Sequence, residues 1–236
     1  MIQDNLEVVR CNIAAAAIKS GRRPQDITLV CVTKEAAIDQ IKEAAACGVI
    51  DIGENRIQDA AEKYKLLGAP AHQRTSAQVK WHLIGHLQTN KVKKAVEIFD
   101  LIHSVDSLRL AEEISKESAK IGKVQDILIQ VNTSGEESKF GIAPEELKPL
   151  IDNIVILKNI RLLGLMTIAP LASDAEKARP YFRKLRELLS EVNSSLRAPL
   201  GLAMTATQLS MGMSGDYQIA IEEGATMVRI GSAIFK

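Results

Sequence analysis

Eight short runs of apolar or β-branched residues punctuate this chain, and helical spacing fills most of the gaps between them. The runs are Ile27–Val32, Val49–Gly53, Val79–Gly85, Phe99–Val105, Asp126–Val131, Ile160–Thr167, Gln208–Gly212 and Met227–Ile230, with Leu200–Met204 competing for the seventh place. Strands that alternate with helices pair in parallel, because each helix carries the chain back to the end at which the last strand began. Two architectures satisfy that rule. An open doubly wound sheet usually announces itself with GxGxxG after the first strand, and none is present here. Eight strands in 236 residues point instead to a single-domain (β/α)8 barrel of the TIM type spanning 1–236.

The intervening segments read as helices for identifiable reasons. Ile2, Leu6, Val9, Ile13 and Ala17 recur at steps of three and four, which predicts an amphipathic helix over Ile2–Ser20. Ala36, Ala37, Ile41, Ala44 and Ala45 do the same before Gly48. Arg56–Leu67 ends at Gly68 and Pro70, and a polar loop follows over Ala71–Gln78. A short helix starts near Lys91, and Ser107–Ile121 is closed by Gly122. A polar loop covers Asn132–Lys139, and Pro144 suits the first turn of the next helix. Ser173 and Glu176 have capping-box spacing ahead of a stripe of Ala178, Phe182, Leu185, Leu189, Val192 and Leu196. Gln218–Glu223 is a short helix ended by Gly224, and little chain remains after the eighth strand. The extra N-terminal helix is expected to cover the strand that an eighth helix would cover.

Charge narrows the function. A net charge of +1 with 3% aromatic residues argues against nucleic acid and against an anionic membrane surface. No apolar run is long enough to span a bilayer, and the N-terminus is charged and helical rather than signal-like. Cys11, Cys31 and Cys47 lack metal-ligand spacing, and Cys31 reads as a small core residue. This usage suits a reducing compartment, so a cytoplasmic protein is expected; nothing in the sequence suggests an obligate interface, so a monomer is expected.

Three stretches can carry chemistry. In ITLVCVTK, Lys34 stands at the carboxyl end of the first strand, where α/β proteins place their ligand sites. A lysine that loses hydration there becomes an amine nucleophile suited to a Schiff base; the alternative is a side chain that simply reaches solvent. In MVRIGSA, Gly231 and Ser232 form a turn whose backbone N–H groups and hydroxyl can take an anion, as the last two strands of barrels often do. Arg229 within that strand needs a partner if buried. In LSMGMSGD, Ser214 is placed to cap the following helix and to share its hydroxyl with a phosphate. WHLIGHLQTNK contains His82 and His86 without an HExxH context, and His82 reads as a hydrogen-bonded histidine near a strand end.

A strand-end lysine and a phosphate cup together match the aldehyde and phosphate of pyridoxal 5′-phosphate. The motifs LVCVTK, DIGENRIQD, WHLIGHLQTNK, GLMTIAP, LSMGMSGD and MVRIGSAIF, spread over almost the whole chain, make it similar to the pyridoxal phosphate homeostasis proteins, whose barrel is alanine racemase N-terminal-domain-like. By position, the resemblance implies that Lys34 is the Schiff-base lysine and that Asn55 lines the cofactor site. Ser214, Gly231 and Ser232 match the phosphate site, Arg229 matches an arginine facing the pyridine nitrogen, and Ser210 is a further cofactor-site residue. Thr33, Glu35 and Arg56 depart from the usual serine, threonine and tyrosine, and Ser232 stands where threonine is usual. The resemblance implies intracellular holding or carriage of the cofactor with little turnover, with free amino acids and PLP-dependent apoenzymes as partners. The alternatives are a racemase-like enzyme of low activity, a Schiff-base aldolase without the cofactor, and an interaction module that merely contains it. Racemases of this fold add a tyrosine base from a second domain, for which this chain has no residues left; its own Tyr64, Tyr181 and Tyr217 fall in helical segments.

Overall fold

The computed structural model describes residues 1–67, 79–136, 139–197 and 206–236. Its strands are β1 (Thr28–Val32), β2 (Asp51–Glu54), β3 (Lys80–Leu83), β4 (Leu101–Val105), β5 (Gln125–Gln130), β6 (Ile160–Met166), β7 (Gln208–Ser210) and β8 (Met227–Ile230). Each pairs in parallel with the next, and β8 returns to β1 through Val30↔Arg229 and Cys31↔Ile230. The barrel is therefore closed, as the strand count predicts. Closure leaves no sheet edge for another chain to pair with.

The helices are α1 (Ile2–Lys19), α2 (Ile38–Ala46), α3 (Ile57–Leu67), α4 (Val92–Ile98), α5 (Leu108–Lys120), α6 (Leu147–Ile154), α7 (Arg179–Arg197), α8 (Tyr217–Glu222) and α9 (Ser232–Phe235). Helix α1 packs on α2, α8 and α9, and Asn5 Nδ2 donates to the Ile234 carbonyl at 2.9 Å. That helix thus covers the region where α9 is too short to do so. Ser107 caps α5, its hydroxyl accepting from Leu110 N at 3.3 Å. The box at Ser173 does not: Asp174 is the cap residue and accepts from Glu176 N at 3.0 Å, because one turn of 310 helix precedes α7. Ala36 and Ala37 lie ahead of α2. The competing Leu200–Met204 strand, the loop at Ala71–Gln78, the Gly68 and Pro70 stop and the Leu196 side chain lie outside the described residues.

Period-two alternation sorts the strand residues into two layers. Cys31, Ile52, Trp81, Leu83, Ile102, Ile127, Ile129, Leu165, Leu209, Val228 and Ile230 face the helices and join one large apolar shell. Val30, Leu101, Leu128, Met166 and Met227 form a separate small cluster inside the barrel. The same inward positions on β2, β3, β4, β7 and β8 carry Asp51, His82, His103, Ser210 and Arg229. Only Val30 and Cys31 of β1 are fully buried, so the first strand is less enclosed than its apolar run predicts.

Candidate functional site

The carboxyl ends of β1, β2, β7 and β8 are neighbours in the closed barrel, and the sequence-predicted residues cluster there. Lys34 follows β1, Asn55 follows β2, Ser214 follows β7, and Gly231 and Ser232 follow β8. Gly231 is pressed against β1: a Cβ there would lie 3.0 Å from the Val32 carbonyl oxygen. Glycine therefore lets the β8 turn come close to the strand that delivers Lys34. Asn55 is fixed in a comparable way, since a Cβ on Gly85 would lie 2.2 Å from the Asn55 carbonyl oxygen. Its side chain is exposed.

Ser214 is not the cap of α8. Asp216 occupies that position, and its Oδ1 accepts from Met213 N at 2.6 Å. The Ser214 hydroxyl instead accepts from Gly231 N and Ala233 N, each at 3.4 Å. Two backbone N–H groups and one hydroxyl thus converge at the start of α9. These long contacts are weakly made, leaving the donors able to take a stronger acceptor such as an oxyanion.

Lys34 departs from the desolvated amine considered above. Its side chain is 50% exposed, and its Nζ lies 3.7 Å from Glu35 Oε1. Glu35 also faces Lys236 Nζ at 3.6 Å. The neighbouring Thr33 is fully buried and donates to Glu54 Oε1 at 2.7 Å, which also accepts from Lys63 Nζ at 2.7 Å. A buried strand end, bonded through Thr33 and Glu54 Oε1 but with Glu54 Oε2 left without a partner, therefore presents an accessible lysine.

Arg229 points into the barrel and is 3% exposed. Its partners are neutral: Nη1 donates to Ser210 Oγ at 2.6 Å and Nη2 to the Thr167 carbonyl at 2.9 Å. These bonds supply the partners that a buried arginine needs. Burial pushes the guanidinium down to about 10, opposed by the Asp216 carboxylate, so it stays protonated at neutral pH. Ser210 thus reaches the site through Arg229 rather than by facing the rim.

Sequence reasoning missed His103. It is fully buried in β4, with Nδ1 2.9 Å from Ser210 Oγ and Nε2 2.9 Å from His82 Nδ1. Burial, with His82 and Arg229 nearby, holds its imidazole well below the usual histidine range. The available signal was a histidine at an inward strand position in LIHSV. His82 is hydrogen-bonded near a strand end, as expected: it lies one residue before the end of β3 and contacts Asp51 Oδ1 through Nε2 at 2.9 Å. His86 sits apart from it, with Nδ1 3.4 Å from Asp106 Oδ2 and its ring stacked on Phe140 at 4.3 Å. No group of three or more His, Cys, Asp or Glu suited to a metal occurs among the described residues. Cys31 lies in the shell with its thiol pushed up to about 12 by burial. No described helix is long and apolar enough to cross a membrane.

The family described as "Alanine racemase, N-terminal domain" matches residues 5–236. A pyridoxal phosphate homeostasis protein of Aquifex aeolicus is 43% identical over 232 residues, covering 98% of this chain and 96% of its own. The structure of PipY from Synechococcus elongatus with PLP bound has a TM-score of 0.83 at 33% identity, covering all of both chains. Alanine racemase of Clostridium difficile 630 shares the fold alone, with a TM-score of 0.69 at 16% identity over 98% of this chain and 56% of its own.

Proposed function

The chain belongs to the alanine racemase N-terminal domain family, among its pyridoxal phosphate homeostasis proteins, and from that premise we propose that it binds pyridoxal 5′-phosphate at the carboxyl ends of β1, β2, β7 and β8. It holds the cofactor as a Schiff base on Lys34 and serves intracellular PLP homeostasis or carriage with little or no turnover. The observation that carries this reading is the convergence of Ser214 Oγ, Gly231 N and Ala233 N beside the strand that ends at Lys34.

The residues present fit such a group. Ser214, Gly231 and Ser232 hold the phosphate with hydroxyls and backbone N–H groups, and no basic side chain is needed there. When bound, the cofactor supplies an aldehyde carbon for the lysine and an electron-withdrawing ring. Arg229 is assigned to the ring nitrogen. Of its five N–H donors two are occupied, by Ser210 and Thr167, which leaves three. A protonated arginine donates and does not give up its proton, so it keeps a neighbouring pyridine nitrogen unprotonated. That arrangement opposes carbanion chemistry, where PLP enzymes typically use a carboxylate. Asn55 lines the rim from β2.

The tyrosines support low turnover. Tyr64 packs edge-on against Trp81, the Tyr217 hydroxyl accepts from Asn12 Nδ2 at 3.1 Å, and Tyr181 lies on α7. All three belong to the helical shell rather than the rim. Free amino acids reach the exposed Lys34, and apoenzymes that need the cofactor are the recipients.

Purified protein should absorb near 420 nm, and borohydride followed by mass spectrometry should place a pyridoxyl adduct on Lys34 that Lys34→Ala abolishes. An adduct confined to another lysine would sink the assignment. Racemisation or Cα–H exchange in deuterated buffer should stay well below about one per second, the lower end of ordinary enzyme rates. Exchange at that rate or above would make the racemase-like reading the better one.

A further inference from the structure

A single file of polar side chains runs through the barrel interior. Arg229 Nη1 meets Ser210 Oγ at 2.6 Å, Ser210 Oγ meets His103 Nδ1 at 2.9 Å, His103 Nε2 meets His82 Nδ1 at 2.9 Å, and His82 Nε2 meets Asp51 Oδ1 at 2.9 Å. These residues come from β8, β7, β4, β3 and β2. Ser210, His82, His103 and Arg229 are all buried, so water cannot substitute for a mismatched partner.

The two ends dictate the direction of every bond between them. A guanidinium only donates, and a carboxylate oxygen accepts. Ser210 Oγ therefore accepts from Arg229 and turns its own hydrogen toward His103 Nδ1. His103 then carries its proton on Nε2 and donates to His82 Nδ1. His82 carries its proton on Nε2 and donates to Asp51. The opposite sense needs protons on both nitrogens of His82, which adds a buried positive charge to an interior that already holds Arg229.

We propose that Asp51, His82 and His103 are positioning residues, forming with Ser210 a one-way hydrogen-bond relay that orients the Arg229 guanidinium toward the cofactor end of the barrel. The consequence for the cofactor rests on the reading given above, whereas the relay itself does not. Asp51 lies at the opposite end, where it lines a cleft of about 350 Å³ with Arg10, Ile13 and Leu29. The charged groups that bear on His103 are Arg229 from β8 and, beyond His82, Asp51 from β2; Asp216, ahead of α8, faces Arg229. A change at Asp51 thus acts on Arg229 through three intervening side chains.

The test reads histidine tautomers by ¹H–¹⁵N correlation in cofactor-free, ¹⁵N-histidine-labelled protein at pH 8, where an ordinary imidazole is neutral. The variants His72→Gln and His86→Gln simplify the assignment. His82 and His103 should each show a protonated Nε2 and a bare Nδ1. Asp51→Ala should abolish the single-tautomer signature of His103, a residue it does not touch, and weaken PLP binding about tenfold. Asp51→Asn, whose Oδ1 still accepts, should restore both. A wild-type His103 protonated on Nδ1, or a His103 signal indifferent to Asp51→Ala, overturns the relay; the first of these needs no variant to fold. A changed tautomer with PLP affinity within about twofold of wild type overturns the positioning role. Wild-type protein that takes up no PLP refutes the cofactor reading alone, since the tautomers are judged without cofactor.

Discussion

The two faces of the barrel sheet are built on opposite principles. Outward, Trp81, Leu83, Ile102, Ile127 and Leu165 meet Phe99, Phe182 and Leu185 in one continuous apolar shell under the helices. Inward, a small apolar cluster around Val30, Leu101 and Leu128 shares the space with Asp51, His82, His103, Ser210 and Arg229. Burying polar groups costs free energy unless each is hydrogen-bonded, and here the inward groups bond one another. The shell therefore supplies stability by area, without directional demands. The interior supplies direction, and contributes to stability only while its file is complete.

Truncation in the shell is the largest effect this contrast predicts. Phe182 is fully buried between α7 and the strands, and Phe182→Ala should cost about 3–5 kcal/mol in denaturant unfolding. The protein that remains folded should keep its cofactor absorbance. Loss of the spectrum at unchanged stability would show that shell and site are not separable.

The rim belongs to neither face, and it separates binding from stability. Ser214→Ala should weaken PLP binding by about 1.5–3 kcal/mol, roughly tenfold to a hundredfold, if its bond to a charged phosphate is lost. Unfolding should move little, because the contacts given up within the protein are two long bonds of 3.4 Å. An unchanged affinity and release rate would assign Ser214 to shaping the α9 turn only.

The same contrast explains what was legible in the sequence. Shell residues repeat within one element: Phe182, Leu185, Leu189 and Val192 announce α7, and eight apolar runs announce the barrel. The rim was legible in part: the strand ends put Gly231 and Ser214 at the same end of neighbouring strands, but an ordinary turn and a helix cap stayed open as readings of each motif taken alone. The interior was not legible, because its contacts join residues far apart in the chain: His103 and Ser210 stand 107 positions apart. Nor could spacing tell that Ser214 serves the β8 turn while Asp216 stands at the start of α8, since both are small polar residues one step either side of Gly215. Position at a strand end left two readings of Lys34 open, a desolvated amine and a side chain that reaches solvent, and the structure shows the second, with the exposed Glu35 carboxylate 3.7 Å away.

The smallest effect is a slope with pH, and it tests the interior directly. Burial, with His82 and Arg229 close by, holds the His103 imidazole well below its ordinary range, so the fold keeps it neutral. In the unfolded chain the same side chain takes a proton near pH 6.5. Between those two points the unfolded state binds more protons, and stability rises with pH. The contribution of His103 is therefore complete above about pH 6.5 and is lost as the solution is acidified below it, by up to about 1.4 kcal/mol per pH unit. Asp106 and Asp216, both pushed up by burial, also bear on stability in acid but are shared by wild type and variant. The measurement is thus a difference: unfolding free energy from pH 7.5 to 5 for wild type minus that for His103→Gln. Wild type should lose stability more steeply on the acid side, and the two curves should run parallel above pH 7. Parallel curves throughout, or a steeper loss in the variant, would mean that the folded interior accepts a proton at His103. The polar file would then be a buried charge network, and direction would no longer distinguish it from the shell.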